Sequence, residues 1–276
     1  MNIKQALQQA SSLITESDSA QLDAELLLLH VIQAQRTILF TDPDRELSQE
    51  EQSQFDGLVE RRINGEPVAY LLGQQGFWTL GLKVAPSTLI PRGDTESLVE
   101  WVLENHDDAQ KKVLDLGTGT GAIALALASE RNQWHVSGLD LMEAAVQLAN
   151  ENAKLNGIKN AEFYQSSWFE NVPTNSQFDL IVSNPPYIDE QDEHLAQGDV
   201  RFEPLSALVA KENGLADLRK IAEDARQYLN GYLVMEHGWQ QAKDVQRIML
   251  ELGYQQVGSG QDLGNRDRFT FGLYQK

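Results

Sequence analysis

Asp115-Leu116-Gly117-Thr118-Gly119-Thr120-Gly121 is the stretch on which the fold turns. The apolar run Val113 to Leu116 reads as a short strand, and Ala122 to Ser129 as an apolar helix. Glycines between them let the backbone turn tightly and approach a ligand closely, and the helix start adds free N–H groups. The spacing G-x-G-x-G is neither the G-x-G-x-x-G of dinucleotide folds nor a phosphate loop with its Lys. A strand-to-helix turn that binds nothing gives the same pattern, so the loop alone leaves both readings open.

Toward the C terminus the alternation continues. Strands are predicted over His135 to Leu139, Glu162 to Gln165, Phe178 to Ser183 and Tyr232 to Met235. Helices are predicted over Ala144 to Leu155, Leu215 to Leu229 and Gln240 to Leu252. This order implies a mostly parallel sheet covered on both faces, an α/β fold. Tyr254 to Val257 and Phe269 to Tyr274 have no helix between them. They predict an antiparallel hairpin at the edge of a seven-stranded sheet.

Toward the N terminus the pattern is helical. Ile3, Ala6, Leu7, Ala10, Leu13 and Ile14 repeat at helical spacing, and a second helix over Ala20 to Gln33 carries Leu26-Leu27-Leu28-Leu29. Pro43 breaks the chain, and Ser48 with Glu51 has capping-box spacing for a helix running to Asn64. Trp78, Leu80, Leu82 and Val84 alternate with Phe77, Thr79, Gly81 and Lys83, which predicts a strand preceded by a turn at Gly73 and Gly76. Asp94 or Thr95 is expected to cap a helix reaching Asn105. The expected boundaries are a small helical domain over 1–72, a hairpin linker over 73–86 and the α/β domain over 87–276.

Composition excludes several functions. The 276 residues include 22 Lys+Arg, 41 Asp+Glu, five His and no Cys, for a net charge of −19. Without Cys there is no disulfide, no thiolate-ligated metal and no cysteine nucleophile. A charge of this sign disfavours direct nucleic-acid binding, whose phosphates demand a basic face. No apolar run approaches the ~20 residues of a membrane span. The start, MNIKQALQQASS, lacks the apolar core of a signal peptide, so a cytoplasmic protein is expected.

The loop resembles the cofactor loop of S-adenosylmethionine-dependent methyltransferases, where Gly117, Thr118, Gly119, Thr120 and Gly121 would pack against methionine and ribose. Asp140 ends the second strand, 19 residues beyond Gly121. A carboxylate there suits ribose hydroxyls; the alternative is a cap on the following helix. Trp168 follows the third strand, where its ring is placed to cover an adenine face or to shield the sheet. Asn184-Pro185-Pro186-Tyr187 follows the strand Phe178 to Ser183. Two prolines stiffen the chain and take it abruptly out of the sheet. In methyltransferases this motif serves planar nitrogens whose lone pair is delocalised. The Asn184 side-chain oxygen and the Pro185 carbonyl accept the two N–H bonds, which strengthen as nitrogen becomes tetrahedral and positive. The Tyr187 ring would stack on the planar group. Catalytic candidates are therefore Asn184, Pro185 and Tyr187, with Pro186 joining them in substrate binding, and no metal is expected.

Taken together the chain resembles the protein-(glutamine-N5) methyltransferases, closest to the branch acting on release factors. The resemblance rests on Gly65 to Gly73, Ile90 to Glu96, Asp115 to Gly121, Asn184 to Tyr187, Glu203-Pro204 with Ala207-Leu208, Glu236-His237-Gly238 with Gln241, and Asp262-Leu263-Gly264 with Asp267-Arg268. It implies a Rossmann-like methyltransferase domain behind a helical domain that docks the substrate. It also implies S-adenosyl-L-methionine as cofactor, S-adenosyl-L-homocysteine as product, and the Gln of a Gly-Gly-Gln motif in class 1 peptide chain release factors as target. On that reading Gly117 to Gly121, Asp140, Trp168 and Asn184 contact the cofactor, and a monomer modulating translation termination is expected. Gly93 stands where the family usually has Pro. Asp115 and His237 are open to structural readings. Rival substrates are a Gln of a large-subunit ribosomal protein and the N6 of DNA adenine.

Overall fold

The first helix, α1 (Ile3–Leu13), starts at Asn2, whose side chain accepts from the Gln5 N–H while Gln5 reaches back to the Asn2 N–H. The computed structural model describes residues 1–276. It continues with α2 (Ala20–Ile32), α3 (Ile38–Thr41), α4 (Gln49–Ile63) and α5 (Val68–Leu72). The Ser48–Glu51 capping box forms as expected. A four-leucine run sweeps most of the way round a helix, so it cannot all face inward. Leu27 and Leu28 are fully buried, whereas Leu26 is exposed. They meet Ile3, Leu7, Phe55 and Val59 in one core, each large side chain contributing about 1.5–3 kcal/mol.

Met1–Gln74 form one compact unit together with Glu193–Phe202. That late segment, read from sequence as part of the α/β domain, is tied in by Arg62, which donates to Asp199 at 2.9 Å and to Asp23 at 2.8 Å.

The second unit comprises Gln75–Asp192 and Glu203–Lys276. Its hairpin pairs β1 (Gln74–Phe77) with β2 (Leu80–Lys83). The turn lies at Trp78 and Thr79, with Trp78 at φ 56°, not at Gly73 and Gly76 as expected. A continuous strand through this segment would send Phe77 and Leu82 to opposite faces. The two-residue turn puts both into the core. Next comes a 3-10 turn over Gly93–Thr95 and then α6 (Glu96–Asn105). Neither Asp94 nor Thr95 caps the helix with its side chain; both are engaged elsewhere.

The remaining elements are β3 (Lys112–Leu116), α7 (Ala122–Glu130), β4 (His135–Asp140), α8 (Glu143–Leu155), β5 (Ala161–Gln165), β6 (Phe178–Ser183), a short pair β7 (Ile188–Asp189) and β8 (Val209–Ala210), α9 (Ala216–Tyr228), β9 (Leu229–Glu236), α10 (Ala242–Glu251), β10 (Gln255–Gln261) and β11 (Asp267–Tyr274). The sheet order is β10-β11-β9-β6-β3-β4-β5. Only the pairs made by β11 are antiparallel, so the seven-stranded sheet with its edge hairpin is as expected. Residues of α6, α7 and α8 pack one face and those of α9 and α10 the other. Strand β9 begins three residues before the predicted Tyr232. Gly231 lies within this added stretch, where a Cβ would run into the Asp179 carbonyl, so the close approach of the neighbouring strand requires glycine. No helix is long and apolar enough to cross a membrane.

Chain order reverses at β3, whose neighbours are β4 and β6. Leu116 pairs with both Leu139 and Ser183, and the Ser183 hydroxyl donates to the Leu116 carbonyl at 2.7 Å. The loops after β3, β4 and β6 therefore leave the sheet side by side at its carboxyl end, where open α/β sheets bind ligands.

Candidate active site

The glycine loop wraps the end of β3. Gly117, Gly119 and Gly121 all have positive φ, which only glycine adopts without strain. Thr118 N–H donates to the Leu139 carbonyl and Gly121 N–H to the Thr118 carbonyl, both at 2.8 Å. Asp115 holds this turn from below. Its Oδ2 accepts the Thr118 hydroxyl at 2.6 Å and the Ala124 N–H at 3.3 Å. Its Oδ1 is buried with no partner, and burial pushes the carboxyl up to about 7.

Beside the loop lies a cavity of about 250 Å³, many times the roughly 10–15 Å³ that admits one water. Gly117, Thr118, Gly119, Thr120, Asp140, Trp168, Asn184 and Pro186 line it. Gly121, Pro185 and Tyr187 are not part of this lining but adjoin it in the chain: Gly121 caps α7, Pro185 is buried, and the partly buried Tyr187 packs against the core on the α9–α10 side of the sheet. Asp140 Oδ2 accepts from Gly119 N–H and Oδ1 from Met142 N–H, each at 2.9 Å. The carboxylate thus ties the glycine loop to the start of α8 and also faces the cavity. Trp168 holds φ 47°, and its ring lies 3.5 Å from where a Cβ on Gly117 would be. Its indole N–H acts on Asp217, a cavity residue that sequence reading missed, against the burial that raises that carboxyl.

Behind Asn184 is a network that sequence reading also missed. Asn184 Nδ2 donates to the Thr95 hydroxyl at 3.3 Å. The Tyr187 hydroxyl donates to Glu236 Oε1 at 3.1 Å. Glu236 is buried and its Oε2 has no partner. Burial pushes this carboxyl up to about 7, against the pull of the Thr95 hydroxyl, Arg268 and Tyr187. Burial, with the Glu236 charge beside it, pushes the Tyr187 phenol far up, so it stays protonated. Arg268 bridges Asp94 at 3.0 Å and Asp262 at 2.9 Å. Gln241 Nε2 donates to the Tyr187 carbonyl at 3.0 Å, and its Oε1 accepts from Gly238 N–H at 2.8 Å. Glu203 accepts Ile90 N–H at 3.2 Å and Arg92 Nη2 at 2.7 Å. The segment before α6 thereby reaches the cavity through Pro91, Arg92 and Thr95. Glu96 is engaged by Trp78 N–H at 2.7 Å instead. His237 is fully buried between the Gly238 carbonyl and the Thr270 hydroxyl, and burial holds its pKa down, as a structural residue requires.

The fold and its glycine-lined cavity define a methyltransferase domain, and the family model of that description matches residues 107–265. A second model, the PrmC N-terminal domain, matches residues 5–73. Among solved structures, a methyltransferase from Pyrococcus furiosus covers 79% of this chain and 98% of its own at a TM-score of 0.56 and 17% identity. The Thermus thermophilus 16S rRNA N2 G1207 methyltransferase, solved with AdoMet and guanosine, covers 73% of this chain and 50% of its own at 0.52 and 19%. Both show the fold alone.

Curated relatives are far more similar. The release factor glutamine methyltransferase of Shewanella oneidensis is 52% identical over 99% of this chain and 96% of its own length. That of Escherichia coli is 48% identical over 99% of both. The chain belongs to the release factor glutamine methyltransferase family.

Proposed function

We propose that this enzyme transfers the methyl group of S-adenosyl-L-methionine to the side-chain amide nitrogen of the Gln in the Gly-Gly-Gln motif of class 1 peptide chain release factors, a modification that modulates termination. The observation that carries the reading is Asn184 on the cavity wall with its Nδ2 engaged by Thr95, so that Oδ1 is the atom left to accept from a substrate amide.

The wall fits the cofactor. Gly119 has open space around its Cβ position, so its backbone is free to lie against a ligand. The two backbone bonds to Asp140 leave lone pairs on both oxygens for a ribose diol. Trp168 offers a ring face. When bound, S-adenosyl-L-methionine supplies a sulfonium methyl group and departs as S-adenosyl-L-homocysteine.

Asn184 Oδ1 and the Pro185 carbonyl accept the two N–H bonds of the target amide and turn its lone pair toward the methyl. As the N–C bond forms, nitrogen gains positive charge and both acceptors bind it more tightly. Each oriented bond contributes a few kcal/mol, roughly 10²–10³ in rate. The Tyr187 ring, fixed by its hydroxyl, limits the approach of the planar group. The extra proton on nitrogen then leaves to water. The helical unit is assigned the docking of the release factor.

The test is incubation with labelled S-adenosyl-L-methionine and, separately, a class 1 release factor, a large-subunit ribosomal protein and duplex DNA. Label is expected on the Gly-Gly-Gln glutamine and lost in Asn184→Ala. Label on either other substrate in its place overturns the reading.

A further inference from the structure

We infer that Thr95 is a positioning residue whose hydroxyl, polarised by the buried Glu236 carboxylate, fixes the Asn184 amide with Nδ2 inward and Oδ1 toward the cavity. This rests on the proposed amide chemistry of Asn184 and goes beyond it. Asn oxygen and nitrogen have nearly the same shape, so sterics alone do not choose which faces the substrate. The choice decides activity: a target amide presents N–H donors, which Oδ1 accepts and Nδ2 repels.

The hydroxyl of Thr95 has one proton. Glu236 is buried beside it, and the Thr95 hydroxyl pulls on that carboxylate against the effect of burial. The hydroxyl proton is drawn to that carboxylate. What remains on Thr95 toward Asn184 is a lone pair, which takes an N–H and not a carbonyl. The observed 3.3 Å bond from Asn184 Nδ2 has that polarity. Tyr187 donates to the same carboxylate at 3.1 Å. One buried charge therefore orients both ends of the Asn184–Tyr187 tetrapeptide.

The arrangement also senses protons. With Glu236 ionised, Thr95 presents only its acceptor. With Glu236 protonated, Thr95 is free to turn its proton toward Asn184 and favour the opposite amide orientation. The charged and titratable groups facing Glu236 are Arg268 from β11, Asp94 from the turn before α6, and Tyr187 after β6. Arg268 and Tyr187 favour the ionised form, Asp94 and burial oppose it, and neighbouring His237 stays neutral. The rate is thus expected to fall on the acid side, through the carboxyl that burial raises to about 7.

Thr95→Val is compared with Thr95→Ser by steady-state kinetics on a class 1 release factor. Val is expected to lower kcat about tenfold, the worth of one charge-assisted hydrogen bond, with KM values within about twofold. Ser is expected to restore it. Glu236→Gln is expected to flatten the acid limb of the pH–rate profile. Wild-type kcat in Thr95→Val, or equal impairment in Val and Ser, overturns the inference. A second readout needs no substrate: the Asn184 side-chain NH2 signal in 15N spectra. It is expected to move in Thr95→Val and to return in Thr95→Ser. An unmoved signal overturns the inference even where activity on release factors is absent, a result that would reject the functional reading by itself.

Discussion

The Tyr187 hydroxyl donates to Glu236 Oε1 at 3.1 Å, and the second oxygen of this buried carboxylate has no hydrogen-bond partner of its own. A buried carboxylate short of one donor is sensitive to losing another. Tyr187→Phe keeps the ring and removes the bond. It is expected to destabilise the protein by about 1–3 kcal/mol, read as a lower urea midpoint. Loss of the donor also moves the Glu236 carboxyl further up, so the acid limb of the rate profile shifts to higher pH. An unchanged midpoint would show that the bond is made equally well by water.

Asp115 gives a pH signature of its own. Its carboxyl rises from the ordinary 3.8 to about 7 through burial. Between those values the folded chain keeps a proton that the unfolded chain has released, so stability falls as pH rises from about 4 to 7. At higher pH the loss is complete, up to roughly 4 kcal/mol for this group. Glu236 acts with the same sign. Asp115→Asn keeps an acceptor for Thr118 and Ala124 and removes the charge. Urea unfolding at pH 5 and pH 8 is expected to show a smaller difference in the variant than in the wild type, with the gain in stability at pH 8.

The sheet and the glycine loop were legible because both are local. Apolar periods place β3, β4, β5 and β6 within a residue or two, and positive φ at Gly117, Gly119 and Gly121 is what glycine in a strand-to-helix turn announces. Asp140, Trp168 and Asn184 follow from strand ends alone. The hidden residues depend on distance. Thr95 meets Asn184 across 89 positions, and Tyr187 meets Glu236 across 49. Thr95 reads as a helix cap because its type and place suit one, and its hydroxyl is spent elsewhere. The hairpin turn was misplaced for a different reason: glycines at Gly73 and Gly76 looked like the turn, whereas core demand for Phe77 and Leu82 put it at Trp78.

Gly93 occupies the first position of its 3-10 turn without a positive φ, and its Cβ direction is open. The preceding Arg92 has φ −104° and ψ 141°, the extended region a residue before proline prefers. Proline is tolerated in a first turn, where no N–H partner is lost. Gly93→Pro is therefore expected to stabilise by about 0.4–1 kcal/mol through a less flexible unfolded chain. Thermal unfolding checks it, and a lower midpoint would mean that the turn needs the Gly93 N–H.

Arg62 donates to two carboxylates at once, Asp23 at 7% side-chain exposure and Asp199 at 40%, and is itself only 10% exposed. It also donates to the Gly65 and Glu66 carbonyls at 3.3 and 3.1 Å. Burial works against its charge, and both carboxylates more than offset that, raising its pKa. Removing the guanidinium leaves Asp23 buried with only the Ser17 and Ser19 hydroxyls as side-chain donors. Breaking a buried pair from one side typically costs about 3–5 kcal/mol. The half-exposed Asp199 argues for the lower end, so Arg62→Ala is expected to destabilise the helical unit by about 3 kcal/mol. The same change frees the 193–202 segment from the side-chain tie that Asp199 makes to α4. Limited proteolysis should then cut within 193–202 faster in the variant, while cleavage within the sheet domain stays at the wild-type rate. Arg62→Lys, which reaches one carboxylate but not both in a fork, is expected to fall between the two.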